Sequence, residues 1–81
     1  MWFVYILKCI DGSFYTGISD NPDRRFLEHK NKKGGRYTGS HEVVERVYLE
    51  KCKDRSIALK REKQIKGWRR EKKLKLINMP T

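Results

Sequence analysis

The chain has 81 residues, room for one small domain with a modest core and little to spare for a second. Its 20 Lys and Arg outnumber 10 Asp and Glu, a formal charge of +10 with a pI near 9.9, which on so small a surface points to a polyanionic partner, nucleic acid first. No apolar run reaches spanning length, the stretch 2–7 is too short for a signal-peptide core, and Cys9 and Cys52 lack metal-ligand or disulfide-framework spacing, so a cytoplasmic protein with reduced thiols is expected.

Residues 2–9 are mostly β-branched and aromatic, Asp11-Gly12 is a turn signal, and residues 13–19 resume the strand pattern, which together predict a β-hairpin. The loop length decides which side chains share a face. A two-residue turn would pair Lys8 with Tyr15 and separate Tyr5 from Tyr15. A three-residue loop, with Gly12 in the left-handed position of a bulge, pairs Tyr5 with Gly17 and Leu7 with Tyr15, so both phenols point the same way. Gly17 opposite Tyr5 then leaves space for the hydroxyl. The other face, with Val4, Ile6, Phe14 and Ile18, is the expected core. Strands favour tyrosine for packing alone, so neither phenol is informative by itself.

Asp20-Asn21-Pro22 reads as a helix start, capped by Asn21 or Asp20, with the helix running to about Lys30. Arg25 and His29 lie one turn apart on one face, while Phe26 and Leu27 offer apolar contact to the sheet. The following loop carries Lys32, Lys33, Arg36, Tyr37 and Thr38, a composition that can follow a sugar-phosphate backbone and stack a base, or simply connect two elements. Residues 42–51 read as a third strand beside the hairpin, and Asp54 as the cap of a second helix.

In that helix Ala58, Glu62 and Ile65 follow the spacing of a buried stripe, so Glu62 is an acid on a face that should be apolar. Such a carboxylate needs a partner: a divalent cation, or Lys66 one turn on. Gly67 should end the helix. A last, strongly basic helix over Trp68 to Ile77 is expected to pack Leu74 and Ile77 inward and to carry its charge diffusely.

Val4-Tyr5-Ile6 with Tyr15-Thr16-Gly17, then Arg25 and His29, then Ala58 through Lys66 around Glu62, resemble the GIY-YIG nuclease domain, and among its members the small stand-alone bacterial and archaeal group. The first motif here reads Phe3-Val4-Tyr5 where the family name has Gly-Ile-Tyr. The resemblance spans nearly the entire chain. It implies a small α/β domain of α+β type, a three-stranded antiparallel sheet flanked by about three helices, that hydrolyses phosphodiesters with one divalent metal, Mg2+ or Mn2+. By the same resemblance Glu62 would be the metal's protein ligand and Arg25 would contact the phosphate. Tyr5 would orient or deprotonate the attacking water, with Tyr15 and His29 hydrogen-bonding phosphate or nucleophile and Tyr37 lining the groove. Gly12 and Gly17 are structural. The expected substrate is DNA, structured or branched, and the expected role is in DNA repair or processing. The competing reading is a nucleic-acid-binding module of the same fold that cleaves poorly or not at all; a basic protein docking onto an acidic protein ranks last.

Overall fold

Gly12 decides the hairpin. Its φ of +85° is a conformation glycine adopts freely and other residues adopt at a cost. The Gly12 amide donates to the Cys9 carbonyl and the Cys9 amide to the Ser13 carbonyl, both at 2.9 Å, closing a loop of residues 10–12. The Asp11 carboxylate accepts from the Ser13 amide at 3.0 Å and from its hydroxyl at 2.6 Å, which braces the turn. Strands β1 (Trp2–Cys9) and β2 (Phe14–Ser19) therefore pair with Tyr5 opposite Gly17 and Leu7 opposite Tyr15, the register the bulged loop predicts.

The structure is a computed structural model that describes residues 1–30 and 43–78. Helix α1 (Pro22–Lys30) begins where the Asn21 side chain accepts from the Arg24 amide at 3.1 Å. Strand β3 (Val43–Cys52) lies antiparallel along the other edge of β1, so the sheet order is β2-β1-β3. Helix α2 (Arg55–Lys66) is capped by Asp54, whose carboxylate accepts from the Ile57 amide at 3.0 Å. It ends as expected before Gly67, whose amide donates to the Lys63 carbonyl at 3.2 Å. Helix α3 (Arg70–Ile77) starts two residues later than Trp68, because Arg69 is still extended at ψ 160°. No helix of the described residues is long and apolar enough to cross a membrane.

Both faces of the sheet are covered. Val4 and Ile6 pack with Ala58 and Ile65 of α2, and Trp68, Leu76 and Ile77 close over that cluster. Tyr5, Leu7 and Cys9 form a second buried cluster with Val43, against which Tyr15 and Phe26 pack. The face expected to be the core is a core, and the tyrosine face is equally buried, since α1 lies over it through Phe26. Two other expectations are corrected. Leu27 is 57% exposed, because Phe26 takes the inward position on α1. On α3 Ile77 packs inward, but with Leu76 as its companion against the Val4 and Ile6 cluster; Leu74 is outside the cluster.

Candidate active site

Tyr5 projects from the central strand across Gly17. A Cβ built on Gly17 would sit 2.6 Å from the Tyr5 hydroxyl oxygen, 2.7 Å from its Cζ and 3.2 Å from Cε1 of Tyr15. The two contacts to Tyr5 are closer than real side chains come, so glycine here is what permits the Tyr5 ring to cross the neighbouring strand. The rings of Tyr5 and Tyr15 are 6.3 Å apart at 40°, a tilted pair within aromatic contact range.

Two charged groups act on the Tyr5 hydroxyl, one by contact and one at longer range. Arg25, on the face of α1 that meets this layer, is hydrogen-bonded to it. The Glu62 carboxylate, from α2, bears on it electrostatically. Burial is the main reason the Tyr5 phenol titrates above its usual value of 10.0; Tyr15 and Glu62 add to the rise and Arg25 opposes it. At neutral pH Tyr5 is therefore a neutral hydroxyl. Burial also works against the charge on Arg25, but Tyr5 and Glu28 outweigh it, so the guanidinium is held firmly protonated. Glu28 approaches Arg25 at 3.7 Å and Arg24 at 3.6 Å, anchoring the stem of α1's basic face.

Glu62 occupies the stripe position between Ala58 and Ile65, with its side chain 17% exposed and 3.4 Å from Lys66 Nζ. Of the two partners open to it from sequence, Lys66 is present in the structure. Among the described residues no three His, Cys, Asp or Glu side chains gather to hold a metal. A single carboxylate beside a hydroxyl suits a hydrated hard cation whose remaining positions are filled by water and substrate oxygens, and does not suit a closed structural zinc site.

The structure thus brings together Tyr5, Tyr15, Arg25 and Glu62 from four elements, β1, β2, α1 and α2. His29 lies in α1 one turn beyond Arg25, but its side chain falls outside the described residues, as do Lys32, Lys33, Arg36, Tyr37 and Thr38. One supporting residue was not anticipated from sequence. Arg70 of α3 donates to the Gly12 carbonyl at 2.6 Å and lies 4.7 Å over the Phe14 ring, tying α3 to the hairpin turn.

With this geometry in place the comparisons with known proteins are unambiguous. The model of the GIY-YIG catalytic domain matches residues 1–75. The chain belongs to the GIY-YIG family. Among its relatives, a UPF0213 protein of Staphylococcus epidermidis is 49% identical over 75 residues, covering 93% of this chain and 92% of that one. A UPF0213 protein of Fusobacterium nucleatum is 44% identical over 81 residues, 98% of this chain and 79% of its own. The solution NMR structure of a UPF0213 protein from Bacillus halodurans superposes with a TM-score of 0.59 at 35% identity, covering 98% of this chain and 85% of that one. The three-stranded antiparallel sheet with three helices is thus the GIY-YIG fold, in the form of a small stand-alone family, and GIY-YIG membership places the chain in a nuclease family.

Proposed function

We propose that this GIY-YIG domain is a divalent-metal-dependent DNA endonuclease with structured or branched DNA as its substrate. The observation that carries the proposal is one buried hydroxyl, Tyr5, hydrogen-bonded to the Arg25 guanidinium of α1 and within electrostatic reach of the Glu62 carboxylate of α2. Those are the parts phosphodiester hydrolysis requires: a fixed cation for the phosphate, a group to hold water, and an anion able to hold a metal.

Arg25 is the phosphate contact. Its planar fork can bind two phosphate oxygens and stabilise the charge that develops on them. Tyr5, neutral because it is buried, holds the attacking water by hydrogen bonding rather than by taking its proton. His29, one turn from Arg25, is the proton acceptor, since an imidazole with a pKa of about 6.5 is better matched to neutral pH than a phenol above 10. Tyr15 orients Tyr5 and contacts the phosphate. Lys32, Lys33, Arg36, Tyr37 and Thr38 are the proposed groove. Mg2+ or Mn2+ at Glu62 would neutralise phosphate charge and stabilise the leaving oxygen. In the free protein the Lys66 ammonium lies 3.4 Å from the Glu62 carboxylate.

The test is nicking of duplex, single-stranded and branched DNA with Mg2+ or Mn2+ against EDTA. Cleavage should disappear in EDTA and in Glu62→Ala, and fall on the order of 10²–10³-fold in Arg25→Ala. Cleavage that survives Glu62→Ala would overturn the assignment. A second reading, a nucleic-acid-binding module without catalysis, is favoured by one observation, the pairing of Glu62 with Lys66. Binding without cleavage on every substrate would select it.

A further inference from the structure

Half of the chain's Lys and Arg, ten of twenty, fall between residues 55 and 75, where Glu62 and Glu71 are the acids. This segment folds as α2, a short turn and α3. Elsewhere among the described residues several cations are answered by acids, Arg24 by Asp20 and Glu28 and Arg46 by Asp23 at 2.9 Å, while Lys8, Lys51 and Lys53 stand singly on the surface. In α2 and α3 the ion pairs engage Arg61, bound to Glu50 at 3.1 Å, and Lys66, while no acid of the described residues pairs with Lys60, Lys63, Arg69, Lys72 or Lys75.

The two sets of cations form one surface. Arg61 of α2 lies 5.2 Å from the Trp68 ring and Lys72 of α3 lies 4.4 Å from it, so the indole joins the two helices with a cation from each. Lys72 and Lys75 line a concavity with Trp68, and Lys60, Arg61 and Lys63 line a neighbouring one on α2. The first turn of α2 holds no acid and begins with Arg55, although Asp54 caps that helix and Glu71 stands in the first turn of α3. Ten cations against two acids in one segment repel one another in the free protein, and a polyanion relieves that repulsion.

The geometry points to a second DNA contact surface on α2 and α3, one that grips the sugar-phosphate backbone around Trp68 from the Val4 layer, apart from Tyr5 and Arg25. Its occupant is a nucleic-acid backbone, chosen over an anionic membrane because cations dominate the exposed positions of both helices, where Ile57 is the one exposed large hydrophobic side chain among the described residues and Leu76 is partly buried against the core. The inference rests on the DNA-acting reading of this family, but not on catalysis.

The test is equilibrium binding to a short duplex of fixed sequence, in EDTA, between about 50 and 200 mM NaCl. Lys63→Gln/Lys72→Gln/Lys75→Gln should flatten the dependence of log K on log salt by about 2–3, roughly 0.9 for each phosphate no longer neutralised. A charge-matched control elsewhere, Lys8→Gln/Lys51→Gln/Lys53→Gln, should change it by less than one. All six side chains are exposed, so both proteins should fold as the parent does. In a Trp2→Phe background, where Trp68 is the remaining tryptophan, added duplex should quench its fluorescence. Equal flattening in both triple variants would overturn the surface in favour of diffuse charge, as would stronger binding to anionic vesicles than to duplex. Cleavage with an unchanged salt slope would sink this surface and leave the nuclease. The predicted slope without cleavage on any substrate would do the reverse.

Discussion

The two faces of β1 bury alternate residues of one strand to the same depth and use them differently. Toward α2 and α3, Val4 and Ile6 meet Ala58 and Ile65 in an apolar layer. Toward α1, Leu7 and Cys9 share their layer with Tyr5, whose hydroxyl is buried but paired with Arg25. A polar group costs little in such a place only while its partner remains. One layer therefore holds the domain together, and the other spends part of its burial on fixing the geometry of a site.

The largest effect should come from the apolar layer. Ile65→Ala should cost about 2–5 kcal/mol in urea unfolding, and because both layers share β1, tyrosine and tryptophan signals should lose structure at one midpoint. Separate midpoints would break the comparison by making the layers independent.

Gly17→Ala places a methyl where Tyr5 already lies and should cost about 1–3 kcal/mol, as overpacking does. The same change in a Tyr5→Leu background should cost less. An equal cost in both backgrounds would mean that Tyr5 is not what makes glycine necessary.

A third test separates the layers by pH. Because the folded Tyr5 pKa is raised above 10.0, its contribution to stability is complete below pH 10 and is lost as pH rises toward the folded value. Tyr48, pushed up mainly by burial and then by Glu50, acts in the same sense from the other layer, as do the raised thiols of Cys9 and Cys52 from about a unit lower. Tyr5→Phe should therefore shrink the alkaline fall in the urea midpoint without abolishing it. An unchanged profile would show that the Tyr5 hydroxyl is not buried.

The smallest expected effect is at the cap of α2. Asp54→Ala should cost about 1 kcal/mol, through loss of the Ile57 amide's partner, with cleavage falling in proportion to folded protein.

Much of this was legible in sequence where physics is local. Asp11-Gly12 announced a turn and left two loop lengths open, and the three-residue one that formed set the face of both tyrosines; Asn21 and Asp54 announced their helices; Glu62 stood out as an acid in an apolar stripe. What escaped notice depends on partners distant along the chain. That the tyrosine face is as buried as its opposite depends on where α1 lands, and the inward choice of Phe26 over Leu27 follows from that. Glu50 joins Tyr48 at 2.5 Å and Arg61 at 3.1 Å across eleven residues of chain, and Arg70 reaches Gly12 across 58, with no periodicity to betray either. The GIY-YIG resemblance conveyed the family and the fold, which spacing alone did not.

Each layer also holds one free, buried cysteine: Cys9 beside Tyr5 and Leu7, Cys52 beside Val4 and Ile6. The domain thus contains its own pair of opening probes. A thiol reagent under native conditions can modify each sulfur only when its layer breathes, so labelling rates of Cys52→Ala and Cys9→Ala report the local opening free energy of the Tyr5 layer and of the apolar layer in turn. If polar geometry is held at the expense of cohesion, Cys9 should react first.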